Sequence, residues 1–188
     1  MADSLLEELN RLRGKALCEA HEVGGLIAVA GSMAELYRRL MDDPRPEDRT
    51  IVTHLLRYET FEHMQHQGLS NHLIVCAYLL ASHGDVDDCL LIWDAKTANF
   101  STYLGLSEVL LVGAGLEETI CFLRQQSTRW RWSLRSLFNL GMPVNKTAIA
   151  SAQAIEHIEE AVNANRFAEL EEKHGKLKRF CSEILMNR

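Results

Sequence analysis

Apolar residues along this chain recur at intervals of three and four, and alternating runs of β-branched and aromatic residues are missing. That period belongs to amphipathic helices rather than strands. The expectation is an all-α protein, a single-domain helical bundle or short α-solenoid of about eight or nine helices. A first helix is expected over about residues 4–21, with Leu5, Leu9, Leu12, Ala16 and Leu17 on one stripe. Gly24, Gly25 and Gly31 punctuate a short apolar segment. Ser32 and Glu35 have the spacing of a capping box, opening a second helix that ends near Asp42. Pro46 is placed to begin a third helix, which runs to about Gln67 and stops at Gly68. Ser70 caps a fourth, and Gly84 ends it.

The segment 84–126 reads as stacked short helices. Asp87-Asp88-x-Leu90-x-Ile92-Trp93 and Glu117-Glu118-x-Ile120-x-Phe122-Leu123 repeat one order of acidic and apolar residues at an offset of thirty positions. That offset suits a helix pair used twice. Between them lie a polar break, Asn99 to Gly105, and the small residues Gly113-Ala114-Gly115, which let helices approach closely or close one helix. Ser127 and Thr128 can cap a helix through Leu140, closed by Gly141 and Pro143.

Two long helices over about 146–163 and 166–186 form a C-terminal helical hairpin (145–187) on a body of residues 1–142, within one domain spanning 1–188. In the last helix Phe167, Leu170, His174, Leu177, Cys181 and Ile184 follow alternating spacings of three and four. Such a stripe caps the bundle or, as the alternative, forms a homodimer seam through 166–186.

Composition narrows the classes. The 188 residues are 47% apolar and 24% charged, an ordinary globular balance. A net charge of −6 disfavours nucleic acid and suits a basic partner. Five scattered cysteines fit small buried hydrophobes in a reducing cytoplasm. No apolar run approaches the length of a membrane span, and the N-terminus is unlike a signal peptide. A cytoplasmic protein without a cofactor is expected.

Candidate chemistry is sparse, and no catalytic residue can be assigned. Glu59, Glu62, His63 and His66 share one helix face and are the only clustered metal-ligand types. They are read first as surface pairs, with a metal-dependent helical-bundle enzyme as the alternative. Arg129-Trp130-Arg131-Trp132 with Arg135 forms a basic-aromatic cluster, read mainly as packing. Leu91, flanked by Asp87 and Asp94, has the form of an apolar anchor framed by acids for a basic protein partner, with Glu117 and Glu118 as second candidates.

Leu91-Ile92-Trp93-Asp94-Ala95-Lys96, with Phe100, Gly105, Leu110-Leu111-Val112-Gly113-Ala114-Gly115, Glu117 and Thr119, resembles a block in small all-helical bacterial immunity proteins of polymorphic toxin systems. The resemblance spans about thirty of the 188 residues. It implies a cytoplasmic protein that binds one cognate toxin domain and blocks its active site or substrate access. A dimeric regulatory adaptor is the remaining alternative.

Overall fold

A computed structural model describes residues 2–15, 18–137, 146–168 and 170–186. Among them the chain is all-α: α1 (Ala2–Arg13), α2 (Ala20–Ala30), α3 (Met33–Asp42), α4 (Asp48–Gln65), α5 (Asn71–Ser82), α6 (Asp88–Lys96), α7 (Phe100–Gly105), a 3-10 turn (Glu108–Val112), α8 (Leu116–Leu137), α9 (Lys146–Asn163) and α10 (Leu170–Met186). The described residues thus form ten helices, in keeping with the helical bundle of about eight or nine that was expected. No helix among the described residues is long and apolar enough to cross a membrane.

One core runs through the bundle, built on Leu36, Leu40, Leu55, Leu80, Ile92 and Leu110. The apolar α5 lies inside it, packed by α4, α3, α6 and α10. Short α6 is likewise enclosed, with α4, α5, α7, α9 and the 3-10 turn around it. Cys18, Cys76, Cys89 and Cys181 are buried as expected, and burial pushes the Cys89 and Cys181 thiols up to about 12. Cys121 is exposed.

Polar chemistry redrew several expected boundaries. The helix expected over 4–21 is broken after Arg13, and the glycine-punctuated segment is itself α2, running through Gly24 and Gly25. The break places Arg13 inside the protein. Its Nε and Nη2 donate to the Asp48 carboxylate at 2.6 and 2.8 Å, and Nη2 also donates to the Asp43 carbonyl at 2.6 Å. Asp48 completes its set by accepting from the Arg45 amide at 2.9 Å, so α4 begins at Asp48 and not at Pro46. Ser32 does precede α3, but without a capping box, because Arg38 and Arg39 take the Glu35 carboxylate.

Ser70 caps α5 as expected, accepting from the Leu73 amide at 3.1 Å, and Gly84 lies just past its end with φ of 67°. The expected polar break at Asn99–Gly105 contains α7. The thirty-residue repeat pattern yields helices of unequal length, nine residues in α6 and 22 in α8. α8 continues through Ser127, whose hydroxyl donates back to the Arg124 carbonyl instead of capping a new helix. The expected closure at Gly141 and Pro143 and the side chains of Arg129, Trp130, Arg131, Trp132 and Arg135 lie outside the described residues.

The last two helices follow one another through a turn at 164–168, so α10 starts at Leu170 and not at 166. They dock on different parts of the body: α9 on α8 and α6, and α10 on α3, α5 and the 3-10 turn. The α10 stripe is spent on this docking, with Phe167, Leu170 and Leu177 packed on the core and Cys181 within it.

Gly113 is packed directly against the backbone of α5. A Cβ there would stand 2.4 Å from the Ala81 carbonyl oxygen and 2.9 Å from its Cα. Backbone is in the way, so no side-chain rotation relieves the clash. Gly113→Ala is expected to destabilise by about 1–3 kcal/mol, the usual cost of forcing extra volume into a packed core. Urea unfolding followed by circular dichroism checks it.

Candidate protein-binding surface

α7 has only six residues, too few to be stable by helix propensity. Side chains at both ends hold it. At its start the Asn99 amide nitrogen donates to the carbonyls of His63, His66 and Gly68 at 2.9, 3.2 and 3.1 Å. The Asn99 oxygen accepts from the Thr102 amide, and the Thr102 hydroxyl accepts from the Asn99 amide, completing a capping box. At its end Lys96 is buried, and its ammonium donates to the carbonyls of Tyr103 and Leu106, each at 2.6 Å. The ammonium also lies 5.2 Å from the centre of the Tyr103 ring. Desolvation holds the Lys96 pKa below its usual value.

Gly105 lets the last turn rest on Leu69, whose Cδ2 would be 2.3 Å from an added Cβ. This anchored helix buries Thr102 completely and turns three large apolar side chains outward: Phe100 (72% exposed), Tyr103 (40%) and Leu104 (67%).

Asn99 sets α7 beside the last turn of α4, whose outer face carries Tyr58, Phe61 and Met64 at helical spacing, all more than half exposed. Among the described residues, half of the twelve exposed large apolar side chains belong to these two adjoining elements, so the exposure there is concentrated. Acidic groups border it. Asp94 of α6 is exposed and near Arg57 of α4; partial desolvation raises its carboxyl pKa, with Arg57 opposing. On the far side, Trp93, Thr97 and Tyr103 face Gln153, Glu156, His157 and Glu160 of α9 across an open cleft of about 380 Å³.

The sequence candidates divide. Asp87, which precedes α6, lines up with Leu91 and Asp94 on one side of that helix, with both aspartates exposed and Leu91 half-buried against the core. Their neighbour Asp88 is buried and held by Arg49 through bonds of 2.9 and 2.8 Å. Glu117 and Glu118 are exposed in the first turn of α8, where carboxylates complement the helix dipole. α6 and α8 each pack on α9 and on the 3-10 turn, which join these two acidic sets.

The Glu59/Glu62/His63/His66 patch is drawn into structure. His63 Nδ1 donates to the Glu59 carbonyl at 2.6 Å, and its Nε2 accepts from the Ser70 amide at 3.0 Å. Both ring nitrogens are therefore in use. The Glu59 carboxylate is buried and accepts from the Tyr37 and Ser70 hydroxyls at 3.2 and 3.3 Å. Glu62 is half-buried and His66 exposed. No group of three or more His, Cys, Asp or Glu side chains among the described residues is placed to hold a metal.

Sequence reading missed Phe100, Tyr103 and Leu104 as a surface. The signal was present in Asn99 with Thr102, a capping box that marks a helix start inside an apparently polar break.

Burial depresses three histidines, His83, His157 and His174. For His157, desolvation acts first, then Lys96 and Arg166 against Glu108 and Glu160. An imidazole harder to protonate when folded favours unfolding once pH falls below its ordinary value near 6.5. Stability is therefore expected to be full at about pH 7.5 and to decline toward about pH 5.5. Burial raises the Asp88 and Asp94 carboxyls, which act in the opposite sense but start from 3.8, so the histidine loss comes first. Urea titrations across this range provide the check.

No family model matches the chain, and searches of curated proteins and of solved structures find no match either.

Proposed function

We propose that this chain is a protein-binding module, a cytoplasmic immunity protein that neutralises a cognate bacterial toxin domain by direct binding. The observation that carries the binding reading is α7, a helix fixed at both ends by side-chain hydrogen bonds to backbone carbonyls while Phe100 and Leu104 stand in solvent. A prefixed apolar ridge costs little ordering on association and supplies the desolvated anchors on which affinity concentrates. Asp94, Glu156 and Glu160 beside it, within a net charge of −6, suit a basic partner and speed its approach. Asp87, Leu91 and Asp94 on one side of α6 extend the contact, with Glu117 and Glu118 as a further acidic edge.

Co-expression in bacteria with the product of the adjacent reading frame tests the reading. A neighbour that is toxic alone, with growth restored and a complex co-purified in the presence of this chain, is the expected result. A harmless neighbour with nothing co-purified contradicts it.

A further inference from the structure

The cleft between α6, α7 and α9 has its own recognition chemistry. Its wall is aromatic: the His157 ring lies 5.4 Å from Trp93 at 50° and 5.6 Å from Tyr103 at 57°. Gln153, Glu156 and Glu160 stand on the same stripe of α9 as His157 and line the opening. At about 380 Å³ it is at the small end of ligand-sized clefts, enough for one long side chain.

Ring faces attract cations, and carboxylates beside them add charge and hydrogen-bond acceptors. The neighbouring cations are already committed, Lys96 to two carbonyls and Arg166 to Glu108. The exposed carboxylates of Glu156 and Glu160 then stand on the open side. His157 is buried, and its Nε2 has no hydrogen-bond partner, lying 3.8 Å from the Glu108 carboxylate. Its protonation is disfavoured by burial, so it contributes a neutral ring to the wall and no competing charge.

The geometry points to this cleft as the receptor for an arginine side chain of a protein partner, stacked on the exposed Tyr103 ring, which the buried Trp93 and His157 rings back, and paired with Glu156 and Glu160. Arginine fits better than lysine because its planar guanidinium both stacks and bonds a carboxylate through two donors. The inference rests on the protein-binding reading, yet its test needs no partner.

Nitrogen-15-labelled protein is titrated with Nα-acetyl-arginine amide, and the Trp93 indole resonance is followed after assignment through Trp93→Phe. A saturable shift is expected with this probe and none with the neutral isostere Nα-acetyl-citrulline amide. Glu156→Gln with Glu160→Gln, both at exposed positions, is expected to weaken binding by about three- to tenfold. Absence of a saturable shift, an equal response to citrulline or an unaffected double variant would each overturn the assignment. Such a result leaves growth rescue by the chain untouched, and a harmless neighbouring gene product leaves this titration untouched.

Discussion

Asp48→Ala is expected to lower stability by about 3–5 kcal/mol, the cost of stranding a buried charge. The stranded group is Arg13, whose side chain is 4% exposed and whose bidentate partner is the carboxylate removed. Asp43 is too exposed a substitute, at 55%, to compensate. The loss falls on the junction of α1 and α4, because the same carboxylate also accepts from the Arg45 amide in the turn leading into α4. A loss of this size is a large share of the stability of an ordinary domain, so the variant is expected to unfold well below the parent in urea. Replacing both partners, Arg13→Met with Asp48→Leu, is expected to recover most of the loss, since no charge then remains buried. If Asp48→Ala unfolds with the parent's midpoint, the ion pair is not holding α1 to α4.

Lys96→Met is expected to cost about 2–4 kcal/mol. Each charge-assisted bond to a carbonyl contributes more than a neutral one, and both the Tyr103 and Leu106 carbonyls lose their donor. Part of the loss is offset because methionine needs no hydration and the ammonium did. The deficit is local as well as global. α7 loses its C-terminal anchor, so amide exchange over 100–106 is expected to accelerate beyond what the change in global stability explains. Thr102→Val, which removes one member of the N-terminal capping box, is expected to cost only about 1 kcal/mol by comparison. Exchange over 100–106 that tracks only global unfolding in Lys96→Met would show that the two carbonyl bonds do not hold α7.

Periodicity made the helical class legible, because a period near 3.6 requires only local repetition. Ser70 and Gly84 were readable for the same reason: each acts on atoms a few residues away. The break after Arg13 was hidden, since its cause is Asp48, 35 positions distant. Glu35 looked like a capping partner by spacing, yet Arg38 and Arg39 compete for its oxygens within one turn.

The candidate site follows the same division. Asp87 and Asp94 were legible as acids around an apolar residue, and both are exposed. Lys96 was not, because a lysine reads as solvated until the carbonyls of Tyr103 and Leu106 close around it. Phe100 and Leu104 lay inside a segment read as a polar break; the placement of Thr102 inward on a six-residue helix turns them out.

The central claim, that the fixed ridge of α7 binds a protein, is tested most directly by affinity. The partner recovered by co-expression is titrated calorimetrically against the parent chain and against Leu104→Asp, a substitution at a 67% exposed position. Unchanged circular dichroism and urea midpoint confirm that the variant is folded. Placing a carboxylate on a central anchor is expected to weaken binding by about a hundredfold, with growth rescue lost in parallel. A folded Leu104→Asp chain that binds the partner as tightly as the parent would contradict the account.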